Sequence, residues 1–275
     1  MLISIIVPSY NQAKFLEETL LSILNQDYSD KEILVLDGGS NDGSVDIIRR
    51  YSNRLNYWVS EPDGGQSQAI AKGKSLSRGD LIGWLNSDDL LLPGALSRVA
   101  SAARRAGTKD AVFYGGHKVI DAEGRIMDIY PSFDDNAWCR RQLGPVICQP
   151  GTFCSKAAYE SIGGVDPAMH YGMDMDLWLR FSASGVPFVR IPEYQASFRR
   201  HSEQKGHNLE ALLQCDIEET AMRQFYDLAV PGTARYRIAR NMRRVLGVLS
   251  GAMLVTLAYR LATRGTLREY HPSYS

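Results

Sequence analysis

Two adjacent carboxylates, Asp88 and Asp89, stand between apolar runs in the stretch Ile82-Gly83-Trp84-Leu85-Asn86-Ser87-Asp88-Asp89-Leu90-Leu91-Leu92-Pro93. Burying one ionised carboxylate is costly unless it is paired, hydrogen-bonded or bound to a cation, and two neighbours also repel each other. The pair therefore wants a positive partner. The competing reading is a solvated turn that ends a strand before a helix started by Pro93.

The elements that would position the pair alternate in type. Short apolar, β-branched runs at 2–7, 33–36, 57–60 and 81–85 read as strands, and the segments 15–24, 45–51, 66–77 and 94–105 carry helical periodicity. Such alternation predicts an α/β fold, a Rossmann-like, mostly parallel sheet flanked by helices. Ligands of these sheets bind just past the carboxyl ends of the strands. Every early polar cluster falls there: Pro8-Ser9-Tyr10-Asn11, Asp37 to Asp42, Glu61 to Gln66 and Asn86 to Asp89. That convergence favours a site over a turn. Beyond residue 110 the pattern predicts strands at 111–115, 118–120 and 125–130, an extended stretch at 145–155, and a helix at 174–184. Late strands at 188–191 and 196–199 and a long helix at 209–226 follow.

The chain has 275 residues, enough for a large core, and 31 basic against 31 acidic side chains. The balance gives no bias toward nucleic acid, and no nucleic-acid partner is expected. Charge is nevertheless segregated, because residues 231–275 hold eight arginines and the single acid Glu269. Cys139, Cys148, Cys154 and Cys215 have neither CxxC spacing nor a histidine ladder, so a reducing cytoplasm is the expected compartment. The start, MLISIIVPSYN, reads as a first buried strand rather than a signal peptide.

Two phosphate-binding patterns fail. Gly73-Lys74-Ser75 lacks the earlier P-loop glycine, since position 68 is Gln68, and it lies inside a predicted helix. Gly38 to Gly43 misses GxGxxG at Ser40. A divalent metal on hard carboxylate oxygens is the obvious substitute for holding phosphate.

Five stretches in order, SIIVPSYNQAKFLEETLLSILNQ, EILVLDGGSNDGS, SEPDGGQSQAIAKGKSLSRGDLIGWLNSDD, YGMDMDLWLRF and FRRHS, resemble the signature of family 2 glycosyltransferases over residues 3–202. The resemblance implies a GT-A fold over 1–230, with a nucleotide-binding half at 1–110 and an acceptor-binding half at 111–230. A basic helical tail at 231–275 would follow. It implies an inverting transferase that moves a hexosyl or N-acetylhexosaminyl group from a nucleoside diphosphate, UDP above all, to an acceptor hydroxyl with Mn2+ or Mg2+. The acceptor would be a glycan or lipid-linked glycan in polysaccharide or cell-envelope assembly. A bound dication offsets charge on the departing diphosphate.

By that resemblance Asp88 and Asp89 are metal ligands, although Asn86 stands where a first aspartate is common, and Asn86 and Ser87 are placed to meet the ribose. Pro8, Ser9, Tyr10 and Asn11 match the first nucleotide-contacting loop, with an N-cap role for Asn11 as the alternative. Asp37 matches the carboxylate that accepts from the base, with Gly38 in place of a frequent second aspartate. Asp63 and Gln66 are further base or ribose contacts unless they only form a Pro-Asp-Gly turn. The catalytic base falls at Asp174, with Asp176 as the fallback; acids in a helix's first turn are also expected from the dipole. His201 would ligate the metal, and Arg199 and Arg200 would neutralise phosphate.

The tail segment 245–259 is too short to span a bilayer. Flanked by arginines, it is expected either to contact a membrane peripherally through 235–268 or to pack on the domain or on a second subunit of a homo-oligomer. Rival readings are a sugar nucleotidyltransferase, which needs a basic glycine-rich loop that VPSYNQ lacks, and a non-catalytic sugar-nucleotide or polysaccharide-binding subunit.

Overall fold

The structure, a computed structural model, describes residues 1–107, 110–134, 137–205 and 209–263. The first half alternates β1 (Ile3–Ser9), α1 (Ala13–Leu24), β2 (Lys31–Asp37), α2 (Ser44–Tyr51), β3 (Tyr57–Ser60), α3 (Gln66–Leu76), β4 (Leu81–Trp84), a two-residue β5 (Leu90–Leu91) and α4 (Ala95–Arg105). The second half runs β6 (Val112–Ile120), β7 (Ile126–Tyr130), α5 (Ala137–Leu143), β8 (Phe153–Ser155), α6 (Lys156–Ser161), α7 (Met173–Ala183) and β9 (Phe188–Arg199). Three helices close the described chain: α8 (Leu209–Phe225), α9 (Ala234–Leu249) and α10 (Ala252–Ala262).

All strands join one sheet in the order β3-β2-β1-β4-β8-β6-β9-β5, with β7 on the outer side of β6. The β3-β2-β1-β4 block is parallel, as is β6 against β9; β8, β5 and β7 pair antiparallel. The two-residue period of β1 explains its central place. Ile3, Ile5 and Val7 enter one core with Leu16 and Leu20 of α1 and Val99 of α4. Ile6 enters the opposite core with Ile70, Trp84 and Trp178. Each fully buried aliphatic side chain contributes about 1.5–3 kcal/mol. Gly73 lies within α3, where a Cβ would come within 2.5 Å of Ile6 Cγ2 and 2.9 Å of Leu36 Cδ2. Its role is to let the helix lie on the sheet.

Several sequence expectations are corrected. The strands expected at 111–115 and 118–120 are one strand, β6, and those at 188–191 and 196–199 are one strand, β9. The gap left at 116–117 is not a break, and Gly115 and Gly116 are points of close approach: a Cβ at Gly115 would stand 2.4 Å from Gln195 Cγ. The ladder shifts register there without ending. Of 145–155 only β8 is strand. The helix expected at 245–259 is two helices, α9 and α10, broken at Ser250-Gly251, with Gly251 at φ 77° and a bend of 77°. Both pack back on the domain. Arg243 donates to the Cys139 and Gly144 carbonyls at 3.1 and 2.5 Å, and Thr256 and Tyr259 donate to carbonyls of β7.

Candidate active site

The loops after β1 and β2 are sewn together by side chains. Asn11, at φ 51°, receives the Asn41 N–H on Oδ1 at 3.0 Å, and its own N–H donates to Ser40 Oγ at 2.8 Å. The N-cap of α1 is therefore not Asn11. The N–H groups of Gln12 and Ala13 donate instead across the gap to Ser44 Oγ (3.0 Å) and Asp42 Oδ2 (2.8 Å), which satisfies donors that a helix start leaves without intrahelical partners. Pro8 pairs with Leu36 in the sheet, and Ser9 is buried, its hydroxyl without a hydrogen-bond partner among the described residues. Tyr10 is 62% exposed.

Asp37 does not present an available carboxylate. It is buried, its Oδ2 accepts from Gly39 N–H, Ser40 N–H and Ser60 Oγ at 3.2, 2.9 and 2.7 Å, and its Oδ1 accepts from Ser40 Oγ at 2.5 Å. It shapes the loop. The exposed carboxylate of this corner belongs to Asp63, which accepts the Gly65 N–H at 2.8 Å. A Cβ built on Gly38 would stand 3.1 Å from Asp63 Oδ1 and 3.3 Å from Tyr10 Cδ2, so Tyr10, Gly38 and Asp63 border a common space.

The acidic pair is no solvated turn, because Asp89 is fully buried and the Asp88 side chain is 14% exposed. The two acids have separate duties. Asp89 Oδ1 accepts the Arg199 N–H at 2.9 Å and Oδ2 accepts the Asn86 amide at 3.3 Å, while its carbonyl accepts from Thr19 Oγ1. Burial first, then the Asp88 charge, push its carboxyl well above the usual range. Both oxygens of Asp89 already accept from protein donors, which leaves Asp88 the less encumbered of the two acids for a metal. Asn86 Oδ1 also accepts from Gln66 Nε2 at 2.7 Å, and Ser87 is buried within the turn.

Asp88 Oδ2 lies 3.1 Å from His201 Nε2. The His201 ring is packed at 4.4 Å on Phe15 of α1, and its buried Nδ1 has no hydrogen-bond partner among the described residues. A carboxylate oxygen and an imidazole nitrogen at that separation suit neighbouring positions on an octahedral dication, whose remaining positions would fall to water and phosphate oxygens. Among the described residues no group of three or more His, Cys, Asp or Glu could hold a metal by itself. Asp88 and His201 fit a cation that arrives with a phosphate ligand.

Arg199 is not free for phosphate. It is 1% exposed, its Nε donates to the Asp88 carbonyl at 2.8 Å, Nη1 to the Asp121 and Ala122 carbonyls, and Nη2 to Glu18 Oε2 at 2.5 Å. Its guanidinium also lies 4.9 Å from the Phe15 ring. The expected phosphate contact is corrected to a structural clamp that seats His201. Arg200, by contrast, lines a cavity of about 470 Å3.

Asp174, Asn86, Gln66, Trp84, Gln149 and Tyr130 also border that cavity. Asp174 opens α7, accepts the Met175 N–H at 2.9 Å, and has its carboxyl pushed up by burial. Asp176 turns away: Arg180 donates to its Oδ2 at 2.8 and 2.6 Å and Tyr226 donates to its Oδ1 at 2.9 Å. The fallback base is thus a structural link between α7 and α8. Sequence reasoning missed Trp84, Gln149, His117 and Tyr130. Trp84 stacks on Trp178 at 6.0 Å, and its carbonyl takes the Gln149 amide at 2.7 Å. Only the strand-end position of Trp84 could have signalled it.

A mostly parallel sheet flanked by helices, with polar loops gathered at the ends of its parallel strands and a second half closing a cavity over them, is a GT-A fold. The chain belongs to glycosyl transferase family 2, whose family model matches residues 4–161. It is 29% identical over 188 residues to an uncharacterised glycosyltransferase of Rickettsia typhi, covering 66% of this chain and 58% of that one. It is 30% identical over 193 residues to a chondroitin synthase of Escherichia coli, covering 69% of this chain and 28% of that one. The chain therefore spans little more than half, or less, of these relatives. Its fold is similar to S. aureus TarS 1-349 in complex with UDP-GlcNAc (TM-score 0.57, 18% identity, 74% and 60% of the two chains). It is also similar to the mannosyltransferase PcManGT from Pyrobaculum calidifontis in complex with GDP-Man and Mn2+ (TM-score 0.56, 18% identity, 98% and 76%).

Proposed function

We propose that the chain transfers a hexosyl or N-acetylhexosaminyl group from a nucleoside diphosphate, UDP in the first instance, to an acceptor hydroxyl with inversion at the anomeric carbon. The observation that carries this reading is the cavity wall. Asp174 stands on it together with Asn86 and Arg200, the near neighbours of Asp88 and His201. Tyr10 and Asp63 would take the base, the ring by stacking and the carboxylate by accepting a base N–H. Asn86 and Gln66 would hold the ribose. Asp88 and His201 would hold Mn2+ or Mg2+, which when bound supplies positive charge to the leaving diphosphate; Arg200 adds a second cation. Asp174, with a carboxyl raised by burial, would take the acceptor's proton. The likeness to a chondroitin synthase supports a glycan or polysaccharide acceptor.

A panel of nucleotide sugars including UDP-GlcNAc and GDP-Man, screened for thermal stabilisation with and without Mn2+, tests the donor and the metal together. Stabilisation by one donor only with Mn2+, followed by sugar release of inverted configuration, is the expected result. No stabilisation by any donor would remove the proposal. Tight donor binding without transfer or hydrolysis would favour a non-catalytic binding subunit instead.

A further inference from the structure

The solvent side of α9 and α10 carries a run of exposed aliphatic side chains, and a contiguous exposed apolar patch is a mark of an interaction surface. On α9, Ile238, Met242, Val245 and Leu249 recur every three or four residues and are all exposed, Leu249 by 77%. On α10, Leu254, Leu257 and Leu261 do the same. The opposite sides of both helices are the ones docked on the domain, through Ala239, Gly247, Ala252, Thr256 and Tyr259. At 3.6 residues per turn, Arg237, Arg240 and Arg244 form a third row, on the side of α9 between the docked face and the apolar stripe. All three are exposed and have no acidic partner among the described residues.

We infer that this helix pair is a docking face for an anionic lipid bilayer, lying in the headgroup region rather than crossing it. The charge pattern selects the occupant. No aspartate or glutamate occurs between positions 228 and 268, while residues 1–230 hold 23 basic against 30 acidic side chains, so the chain turns one cationic side outward. An apolar stripe with a row of exposed arginines on one side matches the interface of an anionic membrane, aliphatic groups below and the long arginine side chains reaching back to the phosphates. A second copy meeting the same face by two-fold symmetry would set one arginine row near another. No single described helix is long and apolar enough to cross a membrane, and the 77° bend keeps the pair from acting as one rod. The face is tied to the cavity wall, since Arg260 of α10 bonds Asp128 and Tyr130 of β7, and Tyr130 lines the cavity.

Flotation of the full chain with vesicles of phosphatidylcholine alone and of phosphatidylcholine with phosphatidylglycerol tests this. Binding to the second and not the first is expected, weakening with added salt. Arg237→Gln/Arg240→Gln/Arg244→Gln should reduce partitioning by about a hundredfold, at about fivefold per arginine, and Leu254→Glu/Leu257→Glu should abolish it while leaving the donor-linked thermal shift unchanged. Failure to bind the acidic vesicles, or equal binding to both vesicle types, would overturn the inference. So would a self-associated wild type that Leu254→Glu/Leu257→Glu converts to monomer without any vesicle binding, which would make the occupant a second copy.

Discussion

Oδ1 of Asp89 accepts the backbone N–H of Arg199 at 2.9 Å, so the turn after β4 and the end of β9 are one structural unit although 110 residues separate them. Through it Asp88 and His201 are held opposite each other.

Asp89→Ala would strand the buried Arg199 N–H and the Asn86 amide. At about 1–3 kcal/mol per orphaned buried group, the variant should unfold at clearly lower denaturant and lose metal-linked nucleotide binding as His201 shifts. Asp89→Asn keeps an acceptor oxygen and should recover most of the stability. Equal losses in the two variants would mean that charge, rather than the hydrogen bond, holds the turn.

Asp88→Ala and His201→Ala should leave the fold intact and cut transfer by about a hundredfold or more. Isothermal calorimetry of UDP with and without Mn2+ should show the metal's contribution gone in both. A Mn2+-dependent heat surviving in either variant would remove that residue from the metal set, and wild-type activity in excess chelator would dispose of the metal itself.

Asp174 and Asp176 should part company. Asp174→Asn is expected to bind donor normally and to lose transfer by about 10²–10⁴-fold. Because burial raises the Asp174 pKa, the folded state favours its protonated form, and stability from that form is lost as pH rises through the folded value. Asp174→Asn should therefore be at least as stable as wild type at neutral pH. Asp176→Asn should instead lose stability, through its Arg180 and Tyr226 bonds, and keep most turnover in what remains folded. The reverse pattern would exchange the two roles.

Gly73→Ala should cost about 1–3 kcal/mol by overpacking, since its new Cβ would meet Ile6 and Leu36. Calorimetric melting measures it. An unchanged melting temperature would show that α3 can lift off the sheet without penalty.

Burial, followed by the Arg200 charge, pushes the His117 pKa down from 6.5 to about 4. Between those values the unfolded chain binds the extra proton, so this residue makes stability fall as pH drops from 6.5 toward 4. His117→Gln should flatten that slope in urea titrations at stepped pH; an unaltered slope would mean that another group carries it.

The parallel block was legible because β1, β2 and β4 are short, β-branched and separated by helices with clear apolar faces. The later strands were less so, since Gly115-Gly116 looks like a terminator along the chain and Pro192 falls where the ladder shifts register, and only the partner strand shows the two glycines as points of close approach. Site residues were legible by type more than by duty. Asp88 and Asp89 are indistinguishable as neighbours in a sequence; what separates them is β9 arriving against one of them. The same holds for Arg199 and for Asp176, whose duties are set by distant partners, Glu18 and Tyr226. The break in the tail was foreshadowed by Ser250-Gly251, a turn-forming pair inside an apolar run.

The bonds from Ser40, Asp42 and Ser44 to the first residues around α1 hold two loops as a single rim. A base sliding between Tyr10 and Asp63 would meet walls that were ordered before it came, so little conformational entropy is lost at docking. Encounter should then be fast, with residence time governed by how long the phosphate end stays anchored rather than by any folding of the rim around the ring.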